Sequence, residues 1–228
     1  MANQKRLVIV GDGEFAEIAC EYFTHDSDYD VAAFAVERDY LRKDRLFDLP
    51  VVAFEDVERR FPAAEYDAFV AVPYTQLNRV RARLCAASKQ KGYALATYRS
   101  SSAFIWRNVE IGENCFIFEA NVIQYSVRIG NNVVLWSGNH IGHRSVIEDN
   151  CFFASHVVVS GYCRIGQNSF VGVNSTLREN ITIGRDAVIG AGAVVVKDVG
   201  ERQVVRGNPA TPSGSDSLQV FGVREEHS

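Results

Sequence analysis

The chain has no apolar run approaching the eighteen or so residues that a membrane-crossing helix needs. Met1–Arg6 leads straight into the short strand-like run RLVIV, not into an export leader. These absences argue against membrane and export. The five cysteines are odd in number and lack a C-x-x-C pair, which argues against a disulfide framework and for a reducing cytoplasm. Charge of one sign is also scarce: 24 Lys and Arg against 28 Asp and Glu leave a formal net charge of −4, with no pull toward nucleic acid or a bilayer. What remains is 228 residues at 47% hydrophobic, room for two modest domains with packed cores.

The dominant feature is a period of six. From Ile111 to Gly200 the chain takes fifteen consecutive six-residue steps without a slip, opening on Ile111, Ile117, Ile123, Ile129, Leu135, Ile141, Ile147, Phe153, Val159, Ile165, Val171, Leu177, Ile183, Ile189 and Val195. The second position is repeatedly glycine: Gly112, Gly130, Gly142, Gly166, Gly172, Gly184 and Gly190. The fifth is small or β-branched, and Cys115, Cys151 and Cys163 there read as buried filler. Such a period fits neither a helical face nor hairpin alternation; it indicates a parallel β-helix of hexapeptide repeats. Each hexad is a short strand and a bend, with the large aliphatic pointing into a triangular prism. Glycine is expected to supply bends through φ values that a side chain resists. Three hexads close one coil, so residues eighteen apart stack at ~4.8 Å.

Ahead of the prism, residues 1–98 alternate strand and helix. Strands are expected at Leu7–Val10, Val31–Val36, Val51–Ala53, Ala68–Val72 and Tyr93–Tyr98, with helices over Glu14–Phe23, Glu55–Phe61 and Thr75–Lys91. That is a small Rossmann-like parallel α/β domain over residues 1–100, then a β-helix with its C-terminal segment over 104–212 and a polar tail over 213–228.

Two places could carry chemistry. The first strand runs into Gly11-Asp-Gly-Glu-Phe-Ala16, a G-x-G-x-x-A loop whose backbone N–H groups can face a diphosphate. The loop residues Gly11, Gly13, Glu14 and Phe15, with Glu37 or Arg38 near the nucleoside, form a candidate nucleotide-sugar site. Pro73, Tyr74, Asn78 and Arg79, after the fourth strand, would complete it. A plain strand–helix turn is the alternative. In the prism, His140, His143 and His156 fall within a short stretch, and Gly161 stacks one coil above His143. A general base beside an unobstructed amide is what acyl transfer requires. The competing readings are surface histidines or a zinc site built from the three. Asn121 and Asn139 also stack, as an amide ladder or a polar wall. Phe118 and Trp136 stack as outward aromatics suited to a subunit interface.

An α/β domain with a GxGxxA loop ahead of an uninterrupted hexapeptide prism resembles the PglD–NeuD family of bacterial sugar acyltransferases. The likeness is carried by VIVGDGEFAE, GNHIGHRSVIEDNCF, SGYCRIGQNSFVGVNS, VIGAGAVVVKDV and VRGNPA, and extends to about Ala210. The resemblance implies a left-handed prism, a homotrimer, a first domain for a nucleotide-linked sugar, and acetyl-CoA lying between subunits with no metal. It implies His143 as base and Gly161 as the oxyanion amide. It further implies Val173 and Ala191, on the coils above Gly161, as backbone contacts to the pantetheine arm, and Gly207 and Pro209 near the adenosine. Lys197 adds a point charge suited to phosphate. Two departures stand out: Arg144 follows the base where the family has an acidic residue, and Phe152 replaces a second histidine. Glu148, Asp149 or a neighbouring chain could supply the carboxylate, and His156 lies close to Phe152 in sequence.

The expected function is acetyl-CoA-dependent N-acetylation of an amino sugar carried by UDP, dTDP or GDP. O-acetylation of a sugar hydroxyl and a non-catalytic sugar-nucleotide-binding scaffold are the alternatives, with a carbonic anhydrase as a third.

Overall fold

A computed structural model describes residues 5–224. They divide into two compact units: one takes in the chain to Pro73 and Arg81–Tyr98, the other Tyr74–Val80 and the chain from Arg99 onward.

The first unit is a five-stranded sheet of β1 (Lys5–Val10), β2 (Tyr29–Val36), β3 (Arg45–Leu46), β4 (Leu49–Ala53) and β5 (Tyr66–Val70), in the order β3-β4-β2-β1-β5. All pairs are parallel except β3–β4. Helix α1 (Glu14–His25) places Phe15, Ala19 and Phe23 on one buried stripe, with Phe23 against Phe69 at 5.1 Å between ring centroids. The expected strand over Tyr93–Tyr98 shrinks to a single parallel bridge from Leu95 to Ala68.

The helix expected from Thr75 starts only at Arg79 and runs to Gln90. Gln76, Leu77 and Asn78 stand at φ 51°, 49° and 68°, a left-handed run that no right-handed helix admits. Packing in the second unit holds it there. Leu77 is fully buried with Val188, Val204 and Leu218, the Asn78 amide donates to Asn168 O at 3.1 Å, and Arg79 pairs with Asp186 at 2.9 Å.

The second unit is a left-handed parallel β-helix with three faces. The open face stacks Phe104–Ile105, Val122–Ile123, His140–Ile141, Val158–Val159, Thr176–Leu177 and Val194–Val195. The charged face stacks Glu110–Ile111, Arg128–Ile129, Val146–Ile147, Arg164–Ile165 and Thr182–Ile183. The covered face stacks Phe116–Ile117, Val134–Leu135, Phe152–Phe153, Phe170–Val171, Val188–Ile189 and Gln203–Arg206. Every pair is in register at eighteen residues until the last, and the inward aliphatics and small fifth positions form one continuous core. Cys115, Cys151 and Cys163 are buried in it, and burial pushes the Cys163 thiol up, away from thiolate chemistry.

The bends work differently from expectation. None of the second-position glycines needs a left-handed φ; a Cβ on Gly142 would instead lie 2.6 Å from Gly161 N, and one on Gly166 2.5 Å from Arg185 N. They are glycine because adjacent coils touch there. The left-handed residue is the fourth of every hexad before the last, φ 52° to 63° at Asn114, Asn132, Arg144, Asn150, His156, Asn168, Asn174 and Asp186. Asparagine is common at that place because it tolerates the conformation. It also builds a ladder: Asn114 donates to Asn132 at 3.0 Å and Asn132 to Asn150 at 2.8 Å, while Asn168 donates to Asp186 at 3.0 Å.

Of the tail expected over 213–228, residues 225–228 lie outside the described residues, and the part up to Val220 carries regular structure. Thr211–Asp216 pairs antiparallel with Gln203–Arg206, and Ser217–Val220 forms a helical turn that buries Leu218. The Asp216 carboxylate caps that turn by accepting from Leu218 N at 2.8 Å.

Candidate functional site

Three edges join the prism faces, and they sort the candidate residues. The leading edge, from open to charged face, carries Gly142–Ser145 and Ser160–Cys163. The trailing edge, from covered to open face, carries Trp136–Asn139, Ala154–Val157, Gly172–Ser175 and Gly190–Ala193. The third edge carries Glu148–Cys151.

His143 stands exposed on the leading edge with its ring flat on Gly161: a Cβ placed there would lie 2.6 Å from Cε1 and 2.8 Å from Nε2. The Tyr162 ring stands nearly perpendicular to the imidazole, 5.1 Å away between centroids. The backbone beneath explains the bare amide. One coil below on this edge the third-position N–H is satisfied by a side chain, His143 N donating to Gln124 Oε1 at 3.0 Å, and Gln167 N finds Glu148 Oε2 in the same way on the third edge at 3.1 Å. The residue that would serve Gly161 is Gly142, which has no side chain, and among the described residues Gly161 N–H has no acceptor. An imidazole and an unspent amide donor therefore lie side by side, the arrangement that can take a proton and hold an oxyanion.

Glu148 is placed elsewhere. It lies on the third edge, where its carboxylate pairs with Arg164 and accepts from Gln167 N, so within the chain it does not orient His143. Arg144 stacks on Tyr125 at 5.4 Å. The cofactor candidates also separate. Gly161 and Lys197 share the leading edge, while Val173 and Ala191 stack on the trailing edge, with Asn174 N bonded to Ser155 O at 3.1 Å and Gly192 N to Val173 O at 2.8 Å. The expected rail through Gly161, Val173 and Ala191 is thus two rails on two edges, because 161 and 173 differ by two hexads and not three. The Gly207–Ala210 turn folds over the last open-face strand, with Val194 N donating to Gly207 O and Ala210 N to Val194 O.

His156 lies on the trailing edge, over Gly138, and His140 on the open face between the two edges. Among the described residues no three metal-ligating side chains converge. Asn121 and Asn139 do not ladder onto one another: both are buried and brace backbone carbonyls, Asn121 donating to Phe118 O and Trp136 O at 2.8 Å and Asn139 to Trp136 O at 2.6 Å. Phe118, expected to face outward, is 2% exposed, its ring 4.2 Å from that of Trp136.

In the first unit, Gly11 bends at φ 130° where a Cβ would strike Ala71 O at 2.7 Å, and Gly13 caps α1 with open space around its Cα. Glu14 is exposed, but the Phe15 ring is buried against Phe69, so Phe15 offers a ligand its main chain alone. Glu37 follows β2 with its carboxylate held by both Arg83 terminal nitrogens at 2.8 and 2.9 Å, and those hydrogen bonds hold it below the usual carboxylate range. The Arg38 guanidinium is taken by Asp56. Pro73 O accepts from the buried Arg81 at 2.6 Å. Tyr74 packs on Phe152 and Phe170, and with Asn78 and Arg79 it is committed to the prism unit. Lys43 was not visible from sequence spacing: its Nζ donates to Asp12 O at 2.8 Å, which sets a cation against the glycine loop. It comes from the β2–β3 connection, where no motif flags it.

Residues 126–161 and 162–197 match the family model for bacterial transferase hexapeptide (six repeats). Among solved structures, a mutant of perosamine N-acetyltransferase from Caulobacter crescentus, in complex with CoA and GDP-perosamine, is 25% identical. That match covers 92% of this chain and 97% of that one, with a TM-score of 0.82. PerB from the same organism, with the same two ligands, is also 25% identical over 91% of this chain and 97% of that one, TM-score 0.82. The acetyltransferase domain of PglB from Neisseria gonorrhoeae, in complex with acetyl coenzyme A, shares the fold at 22% identity, covering 92% and 100%, TM-score 0.82. Among the described residues no helix is long and apolar enough to cross a membrane.

Proposed function

We propose that this chain, a left-handed β-helix whose residues 126–197 match the bacterial transferase hexapeptide model, is an acyltransferase that moves the acetyl group of acetyl-CoA to the amine of a nucleotide-linked amino sugar. The observation that carries this reading is His143 seated against Gly161, whose N–H has no acceptor among the described residues. The amine nitrogen attacks the thioester carbonyl, its proton passes to His143, the Gly161 N–H holds the oxyanion, and the C–S bond breaks to release CoA thiolate.

The active assembly in this reading is a homotrimer packed through the open face. That face presents an outward column of Phe104, Val122, His140, Val158, Thr176 and Val194, with Phe104 53% and Val158 40% exposed. A cyclic arrangement sets the leading edge of each copy against the trailing edge of the next. It reunites the two rails: Gly161 and Lys197 from one copy, Val173 and Ala191 from its neighbour, with acetyl-CoA along the groove and the Gly207–Pro209 turn at its end. The nucleotide sugar would be held by the Gly11–Gly13 loop, Lys43 and Glu37, whose carboxylate keeps lone pairs free beyond its bond to Arg83.

The test is release of free thiol from acetyl-CoA against GDP-, UDP- and dTDP-linked amino sugars and their hydroxyl counterparts. Turnover confined to one amino sugar supports the reading. Turnover on the hydroxyl compounds alone makes the chain an O-acetyltransferase, and no turnover on any leaves it a binding scaffold.

A further inference from the structure

His143 and His156 stand on different edges yet share one axial level. His143, in the coil of residues 136–153, leans up onto Gly161 in the next coil. His156, in that next coil, leans down onto Gly138, where a Cβ would lie 2.6 Å from both its Cε1 and its Nδ1. Both rings therefore occupy the gap between the same two coils, one at each border of the open face. Each is seated on a glycine because any side chain there would strike it. Contact along the Nδ1–Cε1 edge turns Nε2 of His156 away from the backbone. Among the described residues neither imidazole has a hydrogen-bond partner.

Within one chain the width of the open face, with His140 and Val158, separates the two rings. Rotation about an axis parallel to the prism changes no heights, so head-to-tail closure brings His143 of one copy level with His156 of the next. We propose that His156 is a catalytic residue supplied in trans, completing the acyl-transfer centre of the neighbouring copy's His143. This rests on the trimeric acyl-transfer reading above and adds to it a second imidazole. In the step, the amine nitrogen's lone pair forms the C–N bond and its proton goes to His143. The electron pair of the breaking C–S bond stays on sulfur, and the leaving thiolate accepts a hydrogen bond from His156 N–H. No further reactant is needed.

Two homotrimers and one mixture decide it. His156 has φ 58°, so His156→Asn suits its backbone, as Asn174 does one coil above; His156→Gln is the second variant should Asn lower the melting temperature. The His156→Asn enzyme should turn over ~10- to 100-fold more slowly, the loss of a hydrogen bond to a charged group. The His143→Ala enzyme should fall further. Co-expressing the two with different tags and purifying through both gives trimers in which one interface of the three pairs an intact His143 with an intact His156. Those trimers should recover about a third of wild-type turnover. Mixed trimers no faster than the average of their parents would overturn the proposal, as would wild-type turnover in both His156 variants or a monomer by light scattering. If His143→Ala itself turned over normally, the acyl-transfer reading would fall with it.

Discussion

The open and covered faces of the prism are written in the same six-residue grammar and end in opposite environments. The outward columns are Phe104, Val122, His140, Val158, Thr176 and Val194 on one, largely apolar with a histidine and a threonine, and the wholly apolar Phe116, Val134, Phe152, Phe170, Val188 and Val204 on the other. On the covered face, Leu77, Leu218, Tyr74 and Phe221 lie over the C-terminal end of the column, and Phe116, Val134 and Val204 are at most 2% exposed. On the open face nothing among the described residues does this for Phe104 or Val158. The chain closes one face with its own segments and leaves Phe104 and Val158 of the other exposed, the face through which the proposed trimer would pack, and the edges that border it are those that carry His143 and His156. The difference teaches that a face's fate is decided by what folds back onto it and not by its repeat.

Substitutions on each face should break different things. Val158→Arg puts a charge at the centre of the open face and should convert trimer to monomer by light scattering, with turnover lost entirely while the circular dichroism spectrum stays native. Gly161→Ala should lower kcat by about 10²- to 10³-fold, because its methyl displaces the imidazole from the amide. Leu77→Ala should cost about 2–5 kcal/mol in denaturant unfolding of the chain while leaving assembly intact. If Leu77→Ala dissociated the trimer, or Val158→Arg merely unfolded the chain, the two faces would not be distinct in the way described.

The smallest effect lies away from the prism. Glu37→Gln should reduce stability by less than about 1 kcal/mol at neutral pH, since Arg83 is half exposed and the pair is screened. The folded carboxyl sits below its ordinary value, so its contribution is present above the unfolded pKa of about 4.3 and lost as pH falls through the folded one. Melting wild type and variant across pH 3–7 should show the two curves converging at the acid end.

Much of this was legible in the hexads. Ile141, Ile147 and Phe153 announce inward positions, and the eighteen-residue stack of His143 under Gly161 follows from arithmetic on the period. The period also fixes the edge: 161 and 173 differ by two hexads, so Val173 and Ala191 stand on a different edge from Gly161, and Glu148, five residues after His143, turns onto the third edge beside Arg164. It does not separate the two reasons for glycine. Gly142 is there for coil contact, whereas the left-handed place belongs to residues such as Asn150 and Asp186, whose polar side chains disguise a backbone requirement. The helical pattern over Thr75–Lys91 hides the break at Gln76–Asn78, because that left-handed run depends on a pocket made by Val188, Val204 and Leu218, more than a hundred residues away. Lys43 reaches the glycine loop through a connection that carries no motif.

The central claim is that the imidazole on the leading edge takes the proton of the attacking amine. It is tested most directly by the single-turnover rate of His143→Ala with acetyl-CoA and the accepted amino sugar, measured beside CoA affinity by calorimetry. A rate lowered by about 10²- to 10⁴-fold with CoA affinity unchanged is the predicted result. A wild-type rate with unchanged affinity would contradict it.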